Sequence, residues 1–171
     1  MAKILFVIAP QNFRDDEYFV PKEILESNNI EVATASKITG KITGAGGKVA
    51  EAAYKTQDID PENYNGVVFI GGPGMVEMTN DPEFVNLAKK FYEAKKLTTA
   101  ICAAAAVLAN ADLLRGKKAT SWSGVAEVLK SSGANYTGNP VEIDGNIITG
   151  DGPQSAKIFG EAIAKALSDK N

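Results

Sequence analysis

The stretch Thr98-Thr99-Ala100-Ile101-Cys102-Ala103-Ala104-Ala105-Ala106-Val107-Leu108-Ala109-Asn110 decides the fold. Its first part, Thr98 to Cys102, is short and nearly continuous in apolar or β-branched residues, as a strand covered on both faces requires. Its second part, Ala103 to Asn110, is apolar around its whole circumference, which suits a buried helix. A buried strand that runs directly into a buried helix is a building unit of a parallel α/β sheet.

Outward from this stretch the same signatures recur. Ile4 to Ala9 and Val67 to Ile70 read as further central strands. Phe84, Leu87, Ala88 and Phe91 fall at helical spacing behind Asp81-Pro82, an N-cap followed by proline at the first helical position. Val20, Ile24 and Leu25 predict an earlier helix ending near Asn28. Pro21 is expected in its first turn, because a deeper proline breaks the hydrogen-bond ladder. Glu31 to Ser36 reads as a second strand, and Lys41 to Ala52, with Gly44, Gly46 and Gly47, as a hairpin or irregular excursion. Strand signals return at Lys118 to Ser121, Val141 to Ile143 and Asn146 to Thr149, the last two joined by a tight Asp144-Gly145 turn. Helices are expected at Gly124 to Ser132 and Ser155 to Ser168. No repeat or linker interrupts the alternation, so residues 1–171 read as one α/β domain: a doubly wound, mainly parallel sheet with helices on both faces.

Composition narrows the function. Of 171 residues, 44% are hydrophobic and 23% charged, the balance of a globular protein. A net charge of -3 gives no general attraction to phosphate backbones or anionic lipid, so neither nucleic acid nor membrane is expected as a partner. The apolar run near the N-terminus is too short to span a bilayer and lacks a small-residue cleavage site, which predicts a cytoplasmic protein. There is one cysteine and no histidine. That excludes an internal disulfide, leaves no metal site of the usual zinc, haem or copper type, and removes every catalytic dyad or triad that uses imidazole. A phosphate loop fails at Gly47-Lys48, and Pro10-Gln11-Asn12-Phe13 stands where a dinucleotide fingerprint would follow the first strand, so no cofactor is expected.

Ligands of open parallel sheets bind beyond the carboxyl ends of the strands. Pro10 to Glu17, Gly71-Gly72 and Cys102 follow the three central strands, so an acid, a glycine turn and a thiol converge on one edge. Ala100-Ile101-Cys102-Ala103-Ala104 has the form of a nucleophile elbow, with small neighbours two positions away on either side. The helix behind it would lower a thiol pKa of ~8.5 into the ~3.5–7.5 range. The plainer account makes Cys102 a small buried hydrophobe. Glu17, in the run Asp15-Asp16-Glu17, reads by itself as a first-turn acid facing water. Gly71-Gly72 by itself reads as a turn, and Trp122 as a core or rim aromatic.

Taken in order, several segments resemble the ThiJ/PfpI superfamily, whose fold is flavodoxin-like and related to class I glutamine amidotransferases. They are the apolar first strand, Glu17 four residues before Pro21, the excursion around Gly44 to Val49, Phe69-Ile70-Gly71-Gly72, Ala100-Ile101-Cys102, Leu113-Leu114-Arg115-Gly116-Lys117 and Val141 to Thr149. The resemblance implies that Cys102 is the elbow nucleophile, that Glu17 hydrogen-bonds its sulfur, and that the N–H groups of Gly72 and Ala103 form an oxyanion hole. Gly71, Ala104, Trp122 and Asp151 would line the pocket, and the chain would form a homodimer or higher oligomer. Ala103 follows the cysteine where the peptidase-like branch has histidine, so the resemblance leans to the branch of the parkinsonism-associated deglycase and away from a cysteine peptidase. That branch has histidine at Trp122 and arginine at Asp151. Their absence predicts a site that favours a neutral small carbonyl compound.

Three functions follow as expectations. The first is cofactor-independent glyoxalase or deglycase-like chemistry on reactive carbonyls, with Cys102 as thiolate nucleophile and Glu17 as acid and base. The others are an oxidative-stress sensor built on Cys102 oxidation, and a stress-related chaperone.

Overall fold

The computed structural model describes residues Met1–Lys170. In chain order its elements are β1 (Lys3–Val7), α1 (Asp15–Ser27), β2 (Glu31–Ser36), β3 (Gly40–Thr43), β4 (Val49–Ala52), β5 (Tyr54–Lys55), β6 (Gly66–Phe69), α2 (Pro73–Val76), α3 (Pro82–Glu93), β7 (Leu97–Ile101), α4 (Ala105–Asn110), β8 (Lys118–Ala119), α5 (Ala126–Ser131), β9 (Asn135–Tyr136), β10 (Val141–Asp144), β11 (Ile147–Gly150) and α6 (Ala156–Asp169). Seven strands form the main sheet in the order β10-β11-β7-β6-β1-β2-β5. All of its pairings are parallel except β10 with β11.

Alternation along β1 divides the core. Ile4 and Phe6 pack on one face with Tyr18 and Leu25 of α1 and Phe159 and Ile163 of α6. Leu5 and Val7 pack on the other with Phe84 and Phe91 of α3 and Val107 and Leu108 of α4. Both faces of the sheet are therefore covered, which is why β6 and β7 carry no exposed residue. α4 is buried over Ala105–Ala109, as its uniform apolarity predicts. Among the described residues no helix is long and apolar enough to cross a membrane.

The excursion is a hairpin, β3 antiparallel to β4. β10 and β11 form the expected hairpin, with Gly145 at φ 62° in its turn. Two expectations need correction. Pro21 does not sit in the first turn of α1, because the helix begins earlier, at Asp15, and runs through the proline. The lost hydrogen bond is offset by packing: a Cβ at Gly160 of α6 would lie 3.0 Å from Pro21 Cα, so the two helices meet closely there. The strand expected over Lys118 to Ser121 ends at Ala119 and pairs with β9 outside the main sheet. The chain then turns toward β7, where the Trp122 N–H donates to the Cys102 carbonyl at 3.3 Å.

Candidate active site

Register brings the site together. Phe69 of β6 and Gly150 of β11 lie beside Ala100 and Ile101 of β7. The residues just past these strand ends, Gly71, Asp151 and Cys102, therefore share one edge of the sheet. Cys102 itself adopts φ 61°, a left-handed conformation that L residues avoid. The turn between β7 and the helical segment that follows has the strand-turn-helix form of an elbow. The thiol is nearly covered, at 8% exposure.

Glu17 is fully buried, at 0% exposure, not a solvent-facing first-turn acid. The helix starts two residues before it, so its side chain turns inward onto the sheet edge. The Gly71 N–H donates to Glu17 Oε1 at 3.0 Å, and Oε2 has no hydrogen-bond partner among the described residues. Gly71 is the spacer between acid and thiol: a Cβ there would lie 2.6 Å from Glu17 Oε1 and 2.8 Å from Cys102 Cβ. Gly72 has φ 119°, and a Cβ on it would meet the Arg14 nitrogen at 2.4 Å. Its N–H has no acceptor among the described residues. The Ala103 N–H points to the cysteine sulfur.

Electrostatics reverse one expectation. The Cys102 thiol is not lowered but pushed up to about 12, first by burial and then by the negative charge of Glu17. The Ala103 N–H and the positive charge of Arg14 oppose this and lose. The helix dipole loses too, because the segment behind Cys102 opens as a single tight turn and is short. Burial likewise raises the Glu17 carboxyl to about 7. Two acidic groups in contact thus compete to stay protonated, and the first proton leaves the pair near neutrality.

The remaining expected residues are less uniform. Trp122 is 43% exposed and stands at the rim, its ring folded over Gly124. The Asp151 carboxylate accepts the Ser155 hydroxyl at 2.5 Å. Ala104 is fully buried and packs with the α3–α4 side of the core, so it does not line an opening. Clefts of about 440 and 530 Å³ lie along α1 and β4, and neither includes Cys102 in its lining. The first lies between α1 and the strands β2 and β4, and the second between α1 and Lys48.

Sequence reasoning passed over Arg14 and Asp15. Arg14 caps α1 in extended conformation, and its N–H donates to the Gly71 carbonyl at 2.9 Å. Asp15 accepts from the N–H groups of Gly46 and Lys48 at 3.1 and 3.0 Å, fastening the β3–β4 turn beside the site. Both lie in the segment after the first strand, where ligand-binding residues were expected.

Residues 2–166 match the model of the DJ-1/PfpI family, and the chain belongs to that family. It is 39% identical to an uncharacterized protein of Methanocaldococcus jannaschii, over 99% of this chain and 84% of that one. It is 29% identical to a protein named as a deglycase from Pyrococcus horikoshii, over 96% of this chain and 99% of that one. Among solved structures, a ThiJ/PfpI domain protein from Brachyspira murdochii superposes with a TM-score of 0.96 at 31% identity, covering 98% of this chain and 96% of that one.

Proposed function

We propose that the protein is a cysteine-dependent enzyme acting on small reactive carbonyl compounds, with glyoxalase or deglycase-like chemistry. The observation that carries this reading is the placement of buried Glu17 beside Cys102, with Gly71 packed against both. Relatives named as deglycases agree with the class of substrate.

Near neutrality the pair holds one proton. Its reactive arrangement places that proton on Glu17 and leaves Cys102 as thiolate. The sulfur lone pair attacks the aldehyde carbon of a 2-oxoaldehyde, forming the C–S bond of a hemithioacetal while the carbonyl electrons move to oxygen. The N–H groups of Gly72 and Ala103 stabilise that oxyanion, which takes up the proton held by Glu17. Glu17, now ionised, removes the hydrogen on the former aldehyde carbon as a proton and delivers it to the neighbouring carbon, while the hydroxyl proton on the first carbon passes to the oxygen of the second. The product is a thioester of a 2-hydroxy acid. Water hydrolyses it, releasing the acid and restoring the thiol. The route needs no imidazole, in keeping with a chain that contains no histidine.

The test follows methylglyoxal loss and lactate formation with wild type, Cys102→Ser and Glu17→Gln. Turnover in wild type that both substitutions abolish is the expected result. Wild type that leaves methylglyoxal unchanged contradicts the reading. In that case intact mass after mild peroxide becomes decisive: two oxygens added selectively at Cys102 identify an oxidation sensor.

A further inference from the structure

Arg14 brings a positive charge to the start of α1, beside the glycine turn. Its backbone is fixed against the glycine turn, with its N–H on the Gly71 carbonyl at 2.9 Å and its nitrogen packed on Gly72. Its side chain is exposed. Among the described residues no carboxylate forms an ion pair with it and no side-chain hydrogen bond engages it, although the adjacent Asp15 is held by the Gly46 and Lys48 N–H groups. Its positive charge nevertheless reaches both Cys102 and Glu17, favouring the anionic form of each. A guanidinium without a partner among the described residues is therefore rooted at the glycine turn that lies between the acid and the thiol.

We infer that Arg14 anchors an anionic group of the substrate, and that the site takes small carbonyl compounds carrying a carboxylate. This rests on the reading of Cys102 as the reacting group and names the substrate class that reading leaves open. A guanidinium fork matches a carboxylate with two parallel N–H bonds. A single negative charge fits better than a doubly charged phosphate, because Asp16 and Glu17 lie within three residues and one arginine compensates only one charge. Arg14 supplies from the β1–α1 loop the positive charge that Asp151 cannot, so the preference for a neutral substrate expected from Asp151 is replaced.

The test compares alkylation of Cys102 by iodoacetate and by iodoacetamide. Both lose iodide to the same thiolate and differ chiefly in the carboxylate, so the ratio of their rates cancels thiol ionisation. In wild type at low salt the ratio is expected to exceed that of the unfolded chain. Arg14→Gln is expected to lower it about fivefold, the scale of one charge-assisted hydrogen bond at a partly exposed site, and Arg14→Lys is expected to lower it less. Salt at about 0.5 M is expected to reduce the wild-type ratio and leave that of Arg14→Gln unchanged. A ratio that Arg14→Gln does not alter overturns the inference. The readout needs no turnover, so a wild type inert toward methylglyoxal would sink the proposed enzyme and leave this test intact.

Discussion

Glu17 takes the Gly71 N–H on Oε1 at 3.0 Å while its other oxygen, fully buried, is left without a hydrogen-bond partner among the described residues. A buried carboxylate so poorly satisfied is costly, and the cost appears as a raised pKa. The arrangement is stable chiefly when the group is protonated.

That gives a pH-dependent stability with a definite sign. The folded carboxyl keeps its proton up to about 7, against 4.5 for the unreacted reference value, so between these values the folded state binds more protons than the unfolded one. Stability falls as pH rises through that window, by about 3 kcal/mol in all. Glu17→Gln keeps an oxygen for the Gly71 N–H and removes the charge. Thermal melts are expected to show the variant more stable than wild type at pH 8 and equal to it at pH 4.

Gly71→Ala forces a Cβ between the acid and the thiol, at 2.6 Å from Glu17 Oε1. Overpacking of this kind costs about 1–3 kcal/mol. Because the carboxyl must move to make room, methylglyoxal turnover is expected to fall well beyond what the loss of folded protein explains, with denaturant melts measuring the latter.

Much of the fold is legible in local pattern. β7 and α4 follow from uniform apolarity, α3 from its spacing and Asp81-Pro82, and the β10–β11 hairpin from Asp144-Gly145. The elbow is equally legible, since small residues flank Cys102 and the strand passes straight into a helical segment. Pro21 misleads because its compensation comes from Gly160, far away in sequence. Glu17 misleads because three consecutive acids look alike until the start of α1 is known. The thiol pKa is hidden for a related reason: the helix dipole is a local property, whereas burial and the Glu17 charge arise only once distant segments meet.

Asp15 ties the β3–β4 turn to the start of α1 through two bonds from main-chain N–H groups. Asp15→Ala is expected to destabilise the fold by about 2 kcal/mol, since both bonds are made to a charged acceptor. Hydrogen exchange is expected to show faster exchange at Gly46 and Lys48, with β6 and β7 unaffected.

The pairing of Cys102 with Glu17 is tested most directly by the pH dependence of Cys102 alkylation by iodoacetamide, in wild type and Glu17→Gln. Because the first proton leaves the pair near neutrality, the wild-type rate is expected to inflect near the Glu17 value of about 7 and then hold level. In Glu17→Gln the buried thiol ionises alone, and its inflection is expected above the reference thiol value of 9.0. Identical profiles for the two proteins, both inflecting at a free-thiol value of about 8.5, would contradict the shared proton on which the mechanism depends.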